Sequence, residues 1–349
     1  MKIAVGLSGG VDSSVAALLL KKAGHEVTGV TMKLWREGVY ATAGRRDACF
    51  GPGEEEDIAS ASRLAEKLGI GYETFDCSAR YEQAVLGYFK SERAAGRTPN
   101  PCVVCNRLLK FGLLADLARE KAGCDLFATG HYARTAVRGG RRVLMRGVDR
   151  KKDQSYFLWG LSQEQLSRAV FPRGDLEKSE VRRIAAEALF DSAARKDSQD
   201  FYSGDADELV ALAPKKGEMV GLDGKVLGTH DGYWHFTVGQ RKGLGFAAGE
   251  PMYVVSIDAC RNRVIVGPRE KAVRTSFSVA DVNWVSSPPL DDAFECRVKV
   301  RSTGEPAGPA FFDNGVVSAP GGIFGVAPGQ SAVVYAKDSD EIVLGGVIE

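Results

Sequence analysis

Two stretches of the sequence bring chemistry-bearing residue types together at short range. They are Ser8-Gly9-Gly10-Val11-Asp12-Ser13-Ser14 and Thr98-Pro99-Asn100-Pro101-Cys102-Val103-Val104-Cys105-Asn106. In the first, two glycines let the backbone turn tightly and approach a ligand. The hydroxyls of Ser8, Ser13 and Ser14, with free amides at a helix N-terminus, are expected to face outward as an anion site. No lysine follows, so the loop is not the P-loop with its Gly-Lys-Ser/Thr ending. In the second stretch two prolines stiffen the approach to a C-x-x-C pair. Cys105 is expected near a helix N-terminus with Lys110 a turn away, and both influences would lower its thiol pKa. A zinc ribbon is disfavoured because no second C-x-x-C occurs.

Other groups fall at positions where ligands bind. Ala128-Thr129-Gly130-His131-Tyr132 ends an apolar run; Gly130 would allow close backbone approach to a nucleotide, and His131 could contact substrate. Met32 could present its backbone to an adenine, or simply fill the core. The run Arg138, Arg141, Arg142, Arg146, Arg150, Lys151, Lys152 puts seven positive charges into fifteen residues, with only Asp149 opposing. That density suits a phosphate backbone, a solvated strand edge being the plainer alternative. Lys152-Asp153-Gln154-Ser155-Tyr156-Phe157 closes this run.

These residues need a scaffold. Up to about residue 135 short apolar runs alternate with helical patterns: strands over 2–7, 27–33, 72–75 and 126–128, helices over 13–23, 54–68 and 111–121. Such alternation predicts a parallel sheet covered on both faces, with ligands bound beyond the carboxyl ends of its strands. Helix signals follow at 163–168 and 178–188. From about 205 the pattern changes, with a hairpin turn at Asp223-Gly224. From 250 onward only short alternating runs occur: 252–257, 263–266, 294–300, 310–313, 315–318, 331–336 and 342–347. The expected architecture is α/β: an N-terminal parallel-sheet catalytic domain over 1–200, a small central α/β domain over 201–270 and a C-terminal β-barrel over 271–349.

At 349 residues the chain is too long for one ordinary core. A net charge of +1 excludes a histone-like polycation but leaves room for a local basic face. The seven cysteines, an odd number in a long chain, do not read as a secreted disulfide scaffold. No apolar run reaches the ~18 residues of a membrane span, and the first residues read as a buried strand rather than a signal peptide. A cytoplasmic protein with no membrane partner is expected.

The first loop looks like the pyrophosphatase (SGGxDS) loop of enzymes that adenylate a substrate and release pyrophosphate. Taken with Thr98–Asn106, Ala128–His131, Lys152–Leu158, Lys196-Asp197-Ser198 and Val238–Gly245, it resembles the bacterial tRNA-specific 2-thiouridylases (MnmA/TrmU) over nearly the whole chain. The resemblance implies 2-thiolation of the wobble uridine (U34) in tRNAs for Lys, Glu and Gln. ATP with Mg²⁺ would adenylate the C2 oxygen, and sulfur from a protein persulfide would then attack C2. Carried over by position, Gly6, Leu7, Ser8, Gly9, Gly10, Val11, Asp12, Ser13, Met32 and Gly130 would bind ATP. Asn100, Pro101 and Cys102 would face the target base. His131, Lys152, Asp153, Gln154, Arg301, Ser302 and Gln330 would touch tRNA, and Cys105 matches the nucleophile, with Asp12 also in a catalytic position. A sulfur-relay protein or cysteine desulfurase is the donor the resemblance implies. A different ATP pyrophosphatase or synthetase, and a degenerate tRNA-binding paralogue, are the competing readings.

The chain departs from the family pattern at one point. Tyr202 stands where the family carries a second cysteine soon after its KDS run, and tyrosine cannot carry sulfane sulfur. Two cysteines offer themselves instead: Cys102, at a position often Asp in relatives, and Cys49, in Asp47-Ala48-Cys49-Phe50-Gly51-Pro52-Gly53. Cys49, Cys102 and Cys105 could ligate a [4Fe–4S] cluster, or Cys102 or Cys49 could take the persulfide role. Cys77 is a weaker candidate, and Cys124, Cys260 and Cys296 are expected to be structural.

Overall fold

The computed structural model describes residues 1–36, 48–194, 200–202, 204, 206–246 and 249–349. Lys196, Asp197 and Ser198 lie outside the described residues. The chain opens with β1 (Lys2–Gly6), whose three central residues are buried. It continues through α1 (Val11–Lys22), β2 (Glu26–Lys33), β3 (Ala48–Phe50), α2 (Glu54–Leu68) and β4 (Gly71–Asp76). Four acidic residues open α2, where they complement the helix dipole, and Gly69 closes it in the left-handed conformation.

Two long helical runs follow. α3 covers residues 78–94 and α4 covers residues 101–122, each containing a wider π-helical stretch, Glu82–Leu86 and Asn106–Leu114 respectively. Pro101 sits in the first turn of α4, where its missing N–H costs nothing. Then come β5 (Leu126–Ala128), the hairpin β6 (Ala133–Arg138) and β7 (Arg141–Arg146), α5 (Gln163–Arg168), β8 (Ala169–Val170) and α6 (Lys178–Glu187). The main sheet has the order β4-β2-β1-β5-β8 and is parallel throughout. The loops after β1 and β5 therefore open side by side at its carboxyl edge.

β9 (Asp200–Tyr202) pairs with β3, putting Ala48 opposite Asp200 and Phe50 opposite Tyr202. After the short α7 (Ala206–Val210), β10 (Gly217–Val220), β11 (Val226–His230), β12 (Tyr253–Asp258) and β13 (Arg263–Gly267) form a four-stranded sheet. The last part is a closed six-stranded barrel in the order β14-β17-β16-β15-β18-β19. Its strands are β14 (Val273–Trp284), β15 (Phe294–Lys299), β16 (Ala307–Asp313), β17 (Val316–Phe324), β18 (Ser331–Ala336) and β19 (Ile342–Ile348).

The barrel is not tethered loosely. Val333, Tyr335 and Ile342 share one apolar core with Val103, Phe111 and Leu114 of α4. A polar clasp adds to this. Arg134 and Arg150 pair with Asp340, Arg138 pairs with Glu341, and Arg146 pairs with Glu305. Three cations of the basic run, Arg138, Arg146 and Arg150, are thus engaged with the barrel, joined by Arg134 from just before it, and Lys151 at the end of the run is exposed.

Arg146 is the innermost of these, with Asp153 as its second partner at 3.1 Å and both side chains almost wholly buried. Asp153 also accepts from the backbone amides of Gly147 and Ser155. Removing one member of a buried ion pair costs about 3–5 kcal/mol, because the other charge is left stranded. Asp153→Ala leaves Arg146 with Glu305 but strips the Gly147 and Ser155 amides of their acceptor, so it is expected to lower the unfolding free energy by about 3 kcal/mol, the low end of that range. A loss below about 1 kcal/mol in chemical denaturation contradicts this assignment.

Candidate active site

The loop between β1 and α1 is built by its small residues. Gly9 has φ +69°, a conformation glycine adopts without strain. Ser13 and Ser14 turn inward, both donating to the carbonyl of Gly10 at 3.1 and 2.9 Å. That corrects the expectation that all three hydroxyls face a ligand: Ser13 and Ser14 are buried braces, and Ser8 alone is exposed. The amide of Ser8 donates to Ser13 Oγ at 3.2 Å, which closes the loop. Gly10 caps α1 without any side-chain bond, so amides of the first helical turn remain for an anion.

Gly130 approaches this loop from the end of β5. A Cβ there would lie 2.8 Å from Asp12 C and 2.9 Å from Ser13 N, so only glycine fits. Met32, half-buried near the end of β2, packs against the core. Asp12 faces three donors: Arg173 Nη1, Lys178 Nζ at 2.7 Å and Tyr132 Oη at 3.4 Å, all on one carboxylate oxygen. Neither Arg173 nor Lys178 was legible as a site residue; both come from the turn and helix start after β8.

Cys105 ends the first turn and a half of α4, and Cys102 follows Pro101 at its start. Both are half-buried. Burial pushes the Cys105 thiol up to about 11, against a smaller downward pull from Lys110. This corrects the expected depressed pKa: the helix places Cys105 a turn inside, where desolvation outweighs the cation. At neutral pH Cys105 is a thiol. Its thiolate fraction falls about a hundredfold below that of an ordinary cysteine, partly offset by greater intrinsic nucleophilicity. Iodoacetamide at pH 8 is expected to alkylate Cys105 about tenfold more slowly than exposed Cys260, the rate climbing as pH rises toward about 11. Equal rates at pH 8 would contradict the assignment.

Lys110 ties the thiols together. Cys105, Cys49 and Cys102 all act on its ammonium, raising its pKa against the opposing effect of burial. Lys110 in turn acts on His131, whose pKa is driven well below its usual value by burial first, then by Lys110 and Arg173. His131 is accordingly neutral, with Nδ1 2.7 Å from Thr129 Oγ1 and its ring near Phe111 and Phe171. Arg173 and Lys110 thus both act electrostatically on His131, and Lys110 on Cys105, so the glycine-loop end and the thiols share one charged neighbourhood.

Cys49 is exposed on β3, beside the strand that carries Tyr202. Tyr202 itself is buried among Phe50, Tyr81, Cys77 and other apolar residues. Burial pushes the Cys77 thiol up to about 11 as well. Cys124 and Cys296 are buried, and Cys260 is exposed. Among the described residues no three His, Cys, Asp or Glu side chains come together as a metal-binding group. Cys49, Cys102 and Cys105 are thus not gathered into a ready three-thiolate site.

The residues assigned to tRNA divide. Asn100 donates to Ser331 Oγ at 3.2 Å, Gln330 donates to the carbonyl of Pro99 at 3.1 Å, and the Thr98 amide donates to that of Pro328 at 2.7 Å. These bonds lock the cysteine-bearing loop, with buried Pro101 after it, onto the barrel. Gln154 accepts from the Tyr132 amide, and Asp153 is enclosed as described above. Asn100, Asp153, Gln154 and Gln330 thus position the site from inside. Lys152 and Ser302 are half-buried at its periphery. Arg301 is exposed, donates to the Phe324 carbonyl and stacks over the Phe324 ring, which Arg269 also approaches at 4.6 Å. Gly239, in the Val238–Gly245 signature, abuts Gly325 beside them, and Arg241 and Lys242 there are exposed.

A parallel sheet with a glycine–serine anion loop at its carboxyl edge, joined to two β modules, defines an ATP-binding protein of the HUP class. The family model described as the tRNA methyl transferase HUP domain matches residues 1–202. That of the tRNA methyl transferase PRC-barrel domain matches 210–268, and that of the aminomethyltransferase beta-barrel domain matches 274–348. The chain is 42% identical to the tRNA-specific 2-thiouridylase MnmA of Trichormus variabilis, covering 100% of this chain and 98% of that protein. Against the MnmA of Nostoc sp. the identity is 43%, with 100% and 98% covered; against that of Brucella ovis it is 42%, with 99% and 89% covered. The chain belongs to the tRNA-specific 2-thiouridylase family. Among the described residues no helix is long and apolar enough to cross a membrane.

Proposed function

We propose that the protein replaces the C2 oxygen of the wobble uridine of tRNA by sulfur, using ATP. The single observation that carries this reading is the uncapped glycine–serine loop closed over by Gly130, in a chain that matches the family end to end. The uracil O2 attacks the α-phosphorus of ATP: the O2–P bond forms, the bond to the β-phosphate oxygen breaks, and pyrophosphate leaves with the electron pair. The N3 proton passes to solvent. The terminal sulfur of a Cys105 persulfide, supplied by a sulfur donor, then attacks C2, and AMP departs with the former O2. A second thiol attacks the Cys105 sulfur, leaving a protein disulfide and 2-thiouridine, whose N3 regains a proton. Adenylation is needed because a uracil oxygen is a poor leaving group.

The neutral His131 and the half-buried Cys102 line the region where the base would enter, everted from the anticodon loop. Mg²⁺ fits beside Asp12, the carboxylate nearest the phosphate-binding amides, where it would offset phosphate charge. The Arg269–Phe324–Arg301 stack next to the Val238–Gly245 turn suits a tRNA backbone with an unstacked base, by charge and by ring surface. The second thiol in this reading is Cys49 or Cys102, the two cysteines that share Lys110 with Cys105.

Exchange of labelled pyrophosphate into ATP tests the adenylation step. Exchange is expected with tRNA bearing uridine 34 and absent without it. Exchange that proceeds with a small carboxylate and no tRNA would place the chain among other ATP pyrophosphatases instead.

A further inference from the structure

Arg173 is the largest unexplained feature of the nucleotide end. Its side chain is fully buried, yet two of its donor atoms, Nε and Nη2, meet no acceptor among the described residues. Only Nη1 is engaged, on Asp12 Oδ1, and the guanidinium lies 4.0 Å above the Tyr132 ring. Buried guanidinium donors left unpaired are costly, and such groups persist where something absent from the resting protein uses them. What they could use is constrained by place. Asp12 belongs to the first turn of α1, a twelve-residue helix whose N-terminus has no side-chain cap. Lys178 Nζ shares the same Asp12 oxygen from the start of α6. Two cations and uncapped helical amides therefore converge beside the glycine loop. The ligand that fits is polyanionic, and a guanidinium fork matches the spacing of phosphate oxygens.

We infer that Arg173, with Lys178, grips the β- and γ-phosphates of ATP and then the departing pyrophosphate, and that Asp12 occupies this grip only until the nucleotide arrives. On binding, phosphate oxygens take the free Nε and Nη2 donors and displace the Asp12 carboxylate from Nη1. The grip rests on the ATP-using reading and adds to it a place for the leaving group.

Titration calorimetry of the full chain with ATP, AMP and pyrophosphate tests the inference. Arg173→Met is expected to weaken ATP and metal-free pyrophosphate binding by about 10- to 100-fold while AMP affinity stays within about twofold. Arg173→Lys, which keeps the charge and loses the fork, is expected to fall between. Asp12→Asn is expected to bind metal-free pyrophosphate at least as tightly as the parent chain, since the competing carboxylate is gone. A mere structural partner of Asp12 would give losses of the same sign in both variants. Unchanged ATP and pyrophosphate binding in Arg173→Met, or an equal loss for AMP, overturns the grip while leaving ATP use intact. A parent chain that binds no ATP defeats the ATP-using reading itself.

Discussion

Cys105→Ser is expected to abolish 2-thiouridine formation, by at least about 1000-fold, while tRNA and ATP binding stay within roughly twofold. Serine preserves the volume and helix position of the side chain, so the packing of α4 against the barrel is unaffected. What it lacks is the ability to carry a transferable sulfur. The environment sharpens the expectation. Cys105 is held as a neutral thiol by burial, so it is not a generally reactive surface cysteine. Lys110, whose positive charge favours the Cys105 anion, stands ready to stabilise sulfur anion when the donor loads it. In this account the variant still adenylates tRNA, and pyrophosphate release continues for one turnover. Liquid chromatography of digested tRNA reads the outcome. Retained thiolation in Cys105→Ser removes this residue from the reaction.

The second large effect belongs to Gly130→Ala. The added methyl would meet backbone rather than side chain: Asp12 C at 2.8 Å, Ser13 N at 2.9 Å and Asp12 O at 3.0 Å. No rotamer change relieves such a contact, so the start of α1 must move relative to β5. A displacement near 1 Å in a phosphate-binding loop costs on the order of a hundredfold, and ATP affinity is expected to fall by about that factor. Gly10→Ala is the internal comparison. Gly10 has an ordinary φ of −91°, and its added methyl meets only Ser8 Oγ at 3.5 Å. It should weaken ATP far less. Equal ATP affinity in Gly130→Ala and the parent chain would mean that β5 does not support the nucleotide loop.

Much of the scaffold was legible because its signals are local. The periodicities over 54–68, 126–128, 163–168 and 331–336 coincide with α2, β5, α5 and β18. The hairpin turn at Asp223-Gly224 lies between β10 and β11, with Gly224 at φ +81°. Other elements left little trace. β14, the longest barrel strand, begins with the polar run Arg274-Thr275-Ser276, which alternates poorly because its two edges pair at different ends with β17 and β19. β6 and β7 were masked by their arginines, whose partners lie some two hundred residues away on the barrel. The pairing of β3 with β9 is likewise long-range, and it sets Phe50 opposite Tyr202 with Cys49 on the other face of the strand.

The site was legible in its residue types and less so in their surroundings. Gly130 could be assigned to close backbone approach from its position after a strand. The Cys105 environment could not be read, since burial depends on what the barrel and α3 lay over α4. Asp153 and Asn100 are polar residues in functional-looking motifs, and both are enclosed as positioning groups. Arg173 escaped notice for the opposite reason: it sits in Phe171-Pro172-Arg173-Gly174, a turn with no chemical signature until Asp12 is found against it.

The account is tested most directly by following the uridine oxygen. With tRNA labelled by ¹⁸O at C2 of uridine 34, ATP and a sulfur donor, the mass of the released AMP is measured. One ¹⁸O in AMP for each 2-thiouridine formed is the predicted result. Unlabelled AMP alongside 2-thiouridine would contradict adenylation of that oxygen, and with it the coupling of the nucleotide loop to Cys105.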